Sequence, residues 1–185
     1  MRLKLYTAPT DEAITLADLK AHPAARISAT TDDAWIDQLI IAARVRYEEL
    51  TQRILMQSTW DLYLDEFPDG DVIELPAPLV SVASIAYRDE NNGAQTWLYA
   101  TGNYVIDTVS EPVARLALAY GVSWPTVYQG LNVIAVRFVA GYTAATVPIS
   151  LKTWLCAWVA AVYDGNDQLQ EIAESMMRVG GRWAI

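Results

Sequence analysis

Three observations on the 185-residue sequence predict an α+β fold: a small helical core of about four helices with an inserted antiparallel β-sheet or barrel. Apolar residues recur at helical spacing near both ends, and between about 56 and 142 the period falls to two. Turn residues punctuate that middle segment at short, regular intervals. The chain therefore divides into an N-terminal part of the helical core (1–55), a β insert (56–142), and C-terminal helices with a tail (143–185).

The elements follow in chain order. A short apolar alternation, LKLY, precedes TLADLKAH, where Thr15 and Asp18 form a capping-box start and Pro23 stops a helix of about two turns. Thr30, Thr31, Asp32 and Asp33 then supply a cap and first-turn negative charge. Ile36, Leu39, Ile40, Ala43, Tyr47 and Leu50 follow at i, i+3, i+4 spacing and predict one long helix. Trp35, Ile41 and Val45 lie outside that stripe, so this helix touches more than one neighbour.

From about Met56, STWDLYLDEF places Trp60, Leu62 and Leu64 on one strand face and Asp61, Tyr63 and Asp65 on the other. FPDGD is a turn, and DENNGAQ a hairpin turn whose Asn-Gly pair favours positive φ. VIELPAP, LVSVASIAYRD, TWLYA, YVID, VARLALAY and LNVIAVRFVAGY supply the remaining strands. Pro148 opens the next helix, PISLKTWLCAWVAAVY, which ends at an Asp-Gly-Asn turn. Ten residues from Trp154 to Tyr163 carry no charge, too few for a membrane span of about 20. A buried helix packed on the 34–52 helix is expected instead. Its Trp154, Trp158 and Ala161 side should meet the chain's own core, and its Leu155, Val159 and Val162 side a neighbouring subunit or the inner core. A last short helix, QLQEIAESMMRV, ends at Gly180 and Gly181, and RWAI is a tail; Arg178 of the helix and Arg182 and Trp183 of the tail are candidate anchors for a partner.

Composition narrows the function. With 22 acidic against 13 basic residues and a net charge of −9, the chain is unsuited to gripping nucleic acid by its phosphates, though DNA can pass it. One cysteine, Cys156, rules out an internal disulfide and fits a reducing cytoplasm. The N-terminus lacks the apolar run of a signal peptide. No phosphate-binding loop, G-x-G-x-x-G or G-x-S-x-G is found. His22 is the single histidine and Cys156 lies in an apolar helix, so no nucleophile–base pair suggests itself. Acidic runs at Asp65, Glu66, Asp69 and Asp71, and at Asp164, Asn166 and Asp167, do not match a calcium loop and are explained by turns and caps. No catalytic residue, cofactor or metal is expected. Seven tryptophans and ten tyrosines against two phenylalanines favour rings suited to partly wet contacts between proteins.

Read in order, AITLADLKAH, DDAWIDQLIIAARVRYEELTQRILMQSTWDLYLDEFP, IELPAPLVSVASIAYRD, YVIDTVSEPVARLALAYGVSWP and VIAVRFVAGYTAATVPISLKTWLCAWVAAVYD resemble the head-tail connector (adaptor) family of tailed phages and prophages. The resemblance covers roughly residues 13–164. AHPAARISATTDD replaces the family's usual short link between the first two helices, and SMMRVGGRWAI departs from the family ending.

The resemblance implies a non-enzymatic virion protein of the head-tail junction, made in the host cytoplasm. It would form a homo-oligomeric ring, commonly of twelve subunits, under the portal protein. There it would join the portal to a tail-proximal stopper or tail-completion protein around a channel that DNA crosses as cargo, with no membrane involved. Trp35 to Tyr47 and Leu151 to Tyr163 match the family's body and subunit-contact helices. Two other readings stand beside it: a tail-completion or stopper protein of the same region, and a binding module on the β insert with Trp60, Trp97 and Trp124 as a platform.

Overall fold

A computed structural model describes residues 2–23, 25, 27, 31–110 and 113–180. The chain forms two compact units: Met1–Pro9 with Gln57–Gly141, and Thr10–Met56 with Tyr142–Ile185.

The first unit is all β apart from a 3-10 turn at Tyr99–Thr101. Its strands are β1 (Arg2–Thr7), β2 (Ser58–Leu64), β3 (Val72–Pro76), β4 (Leu79–Arg88), β5 (Ala94–Leu98), β6 (Tyr104–Asp107), β7 (Val113–Leu118) and β8 (Ile134–Ala140). They make two antiparallel sheets, ordered β1-β2-β8-β4-β5 and β3-β7-β6, and neither is a closed barrel. Period-two patterning decides the faces: Leu62, Val82, Ile85, Val136 and Phe138 are buried on the larger sheet, and Ile73, Leu75, Ala114 and Leu116 on the smaller. In the β4–β5 turn Asn92 takes positive φ, at 64, whereas Gly93, the other half of the expected pair, does not. The TWLYA segment is split, since β5 ends at Leu98 and Tyr99 begins the 3-10 turn.

Residues 2–7 differ from the expectation that 1–55 belongs with the helices. Their alternation lets them pair with β2, Leu3 opposite Leu62 and Leu5 opposite Trp60. The register shifts between Leu5 and Thr7, so Tyr6 is the extra residue of a bulge. That bulge aims the Tyr6 ring over Arg137, whose guanidinium carbon lies 3.5 Å from the ring centroid. Arg137 in turn donates two 2.8 Å hydrogen bonds to the buried Asp61 carboxylate.

The second unit holds α1 (Leu16–Ala21), α2 (Asp33–Thr51), α3 (Ile149–Tyr163) and α4 (Asp167–Gly180). The capping box forms as read: the Asp18 amide donates to Thr15 Oγ1, and the Thr15 amide to Asp18 Oδ2. At the start of α2 the Asp32 side chain makes no cap bond and instead accepts from the Tyr163 hydroxyl at 2.7 Å. Thr30 lies outside the described residues. Gln52, at φ 56, ends α2 in the left-handed region, its amide donating to Glu48 O.

Leu19, Ile36, Leu39, Ile40, Ala43 and Tyr47 meet Leu151, Leu155, Val159, Ala173 and Met177 in one core. Burying each large aliphatic side chain contributes about 1.5–3 kcal/mol. The Asp-Gly-Asn turn closes α3 with Gly165 at φ 64 and starts α4, where Asn166 Oδ1 accepts from the Leu169 amide. Gly181 lies outside the described residues.

Candidate protein–protein interface

Among the described residues, the helical unit leaves two apolar helix faces without a partner. On α2 the inward residues take one side of the wheel and, at about 100° per residue, Ala34, Trp35, Gln38, Ile41, Ala42 and Val45 share the other. All six are exposed, Trp35 by 57%. The three α2 candidates predicted from sequence thus lie together on one solvent-facing strip.

The second face was not recognised in the sequence. On α4, Ala173 and Met177 point into the core, while Leu169, Ile172, Met176 and Val179 are exposed, Val179 by 63%. Their i, i+3, i+7, i+10 spacing makes a strip about 80° wide. The signal was present in QLQEIAESMMRV, whose apolar positions exceed what one buried edge requires.

A charged ridge separates the two strips. Arg46 Nε and Nη2 donate to the two Glu174 carboxylate oxygens at 2.8 Å each, and Trp158 Nε1 donates to Glu174 Oε1 at 3.2 Å. The Arg46 guanidinium holds the Glu174 carboxyl down to about 2. On the α4 wheel, Glu171 and Arg178 fill the arc between Glu174 and the apolar strip. Arg178 is exposed there, on the polar side of the helix.

The α3 candidates are corrected. Leu155 is 1% exposed and Val159 is fully buried, so both belong to the inner core and neither is available to a neighbour. Val162 is half-buried and packs against the same core. The reason is that α2 and α4 both pack on α3, which buries far more than one face of it. Trp158 and Ala161 are also buried, and Trp154 packs on the core's edge. Arg182 and Trp183 lie outside the described residues.

Chemistry-bearing groups are placed as follows. Cys156 is buried, and desolvation pushes its thiol up to about 11, so it stays protonated at neutral pH. His22 sits at the C-terminal cap of α1. Asp65 accepts from the Asn132 amide, and no group of three or more His, Cys, Asp or Glu among the described residues is arranged to hold a metal. Among the described residues, no helix is long and apolar enough to cross a membrane.

The tryptophans do not form a platform. Trp124 has Phe67 stacked on it at 4.5 Å and Trp97 at 6.1 Å, and its Nε1 donates to Gly70 O. Trp60 stands on β2, separated by two intervening strands from the strand that carries Trp97, and donates to Ser58 Oγ.

Comparison with solved structures finds the same architecture. A chain in the neck of an empty gene transfer agent (GTA) particle, computed with C6 symmetry, matches with TM-score 0.73 at 21% identity, over 89% of this chain and 84% of that one. The fold is shared with a particle neck. A chain in the virion of the native GTA particle matches with TM-score 0.71 at 22% identity, over 89% and 84%. A chain in the native GTA neck, computed with C12 symmetry, matches with TM-score 0.68 at 20% identity, over 94% of both chains. No family model matches the chain, and the search of curated proteins finds no match.

Proposed function

We propose that this protein is a structural subunit of the neck of a phage-like particle, a head-tail connector (adaptor). It forms a ring under the portal and joins it to tail-proximal proteins around the DNA channel. The observation that carries this reading is the fold match, over at least 89% of the chain, to chains of GTA particles, two of them in necks computed with C6 or C12 symmetry.

Physical properties support it. A ring subunit needs apolar surface beyond its own core, and α2 offers Trp35, Ile41 and Val45. A conduit for DNA should not hold the duplex, and a net charge of −9 gives the phosphates nothing to bind in bulk. The thiol of Cys156 is protonated and enclosed, consistent with a part that does no chemistry.

Co-purification with the portal protein of the same particle tests the assignment. A stoichiometric complex whose averaged images show the chain as a ring against the portal is the expected result. A chain that ignores the portal but binds the tail-side neck protein is instead a stopper or tail-completion protein. Binding to neither removes the neck reading.

A further inference from the structure

The two exposed helix strips suggest more than a general tendency to assemble. We infer that the α2 strip of one copy receives the α4 strip of the next, a head-to-tail contact between two different faces of the same unit. This rests on the ring reading above and names the surfaces that would build the ring.

The strips correspond in length. Trp35 to Val45 and Leu169 to Val179 each span ten residue steps, about 15 Å of helix. Their relief is opposite. The α4 strip is made of large side chains only, whereas α2 sets the small Ala34 and Ala42 between Trp35, Ile41 and Val45. Large side chains on one helix seat in hollows left by small ones on the other. Pairing α4 with α4 would set bulk against bulk, and pairing α2 with α2 would leave the hollows empty.

Charge permits a second copy as the occupant, and the opposite relief of the two strips selects it. Two molecules of net charge −9 repel wherever their carboxylates meet. The six α2 strip residues and the four of α4 carry no charge, and the residues bordering α4 on its solvent side, Gln168 and Ser175, are neutral, while on α2 the exposed Asp37 flanks Ile41 and Glu49 follows Val45. These are surfaces on which like-charged copies can touch.

Area sets the order of assembly. Three or four half-exposed apolar side chains make a patch on the order of 300 Å², well below the roughly 800 Å² per partner of a stable pair. A single contact is therefore weak. Because the strips lie on different faces, with the Arg46–Glu174 ridge between them, each copy can use both at once. Heterologous contacts of this kind close into a ring where the rotation between copies returns to its start, and every copy is then held twice.

The test uses the full chain and two exposed substitutions, Val45→Glu on α2 and Ile172→Glu on α4, with circular dichroism to confirm that both variants fold. Sedimentation velocity should show the unmodified chain forming species heavier than a monomer as concentration rises to several hundred micromolar. Each variant alone should remain monomeric or nearly so. An equimolar mixture should give dimers and stop there, since only one intact α2 strip and one intact α4 strip then remain to meet.

Three outcomes would overturn the inference: assembly that survives either substitution, a mixture that stays monomeric, or an unmodified chain that stays monomeric throughout the range. Failure of the neck reading looks different. In that case the chain assembles through these two faces, and the mixture dimerises, while the portal and tail-side proteins are left unbound.

Discussion

Arg46 on α2 and Glu174 on α4 are joined by two hydrogen bonds of 2.8 Å, with Trp158 of α3 donating to the same carboxylate. Three helices thus converge on one acidic side chain that is only 14% exposed. The carboxyl is depressed to about 2, so ionised Glu174 stabilises the helical unit. For a depressed acid, that stability is complete above the unfolded value near 4.5 and is lost as pH falls towards 2.

Glu174→Gln should cost about 1–2 kcal/mol at pH 7, a figure reduced from the full linkage value because Arg46 is partly open to solvent. Urea unfolding of both proteins between pH 7 and pH 2.5 checks it. The gap between them should narrow as the pH drops below 4.5. A gap that is constant across the range would show that the ion pair contributes nothing.

Leu155→Ala should destabilise the protein by about 2–5 kcal/mol, since it opens a cavity in a closed core. Val45→Ala should change monomer stability by less than about 0.5 kcal/mol. Thermal or urea denaturation at low concentration separates the two, and equal effects would contradict the assigned faces of α2 and α3.

Arg137→Ala strands the buried Asp61 carboxylate and should cost about 3 kcal/mol. Tyr6→Leu removes only the ring above the guanidinium and should cost about 1 kcal/mol or less. A loss from Tyr6→Leu as large as that from Arg137→Ala would mean that β1 itself, and not the ion pair, holds this face together.

Cys156 should resist a thiol reagent at pH 8 in the native protein and react fully once urea unfolds it. Labelling followed by mass spectrometry measures this directly. Rapid modification of the native chain would show that the α3 core opens on the experimental timescale.

Much of the helical unit was legible because its signals are local. Thr15 and Asp18 cap α1 by sequence-adjacent bonds, and the inward row of α2 repeats every three or four residues. The faces of α3 were not legible, because a helix apolar on nearly all sides has no periodicity from which to choose one. Leu155 and Val159 could be assigned to the core only when α2 and α4 were seen to enclose them. The two sheets were hidden for a different reason. Nothing local in VIELP and VARLAL states that they pair with each other, leaving β2, β4 and β8 to a second sheet. The α4 strip was visible as spacing, and its exposure depended on which edge of the helix the core used.

The Phe67–Trp124–Trp97 stack has a further consequence. Indoles held face to face share their electronic excitation, so Trp97 and Trp124 at 6.1 Å should give a coupled signal in far-ultraviolet circular dichroism. One ring comes from β5 and the other from the loop ahead of β8, so the couplet exists only while the β unit keeps its tertiary structure. Set against helical ellipticity from the other unit, it gives two spectroscopic clocks in one molecule. Coincident or separate melting of the two would decide whether this chain unfolds in one step.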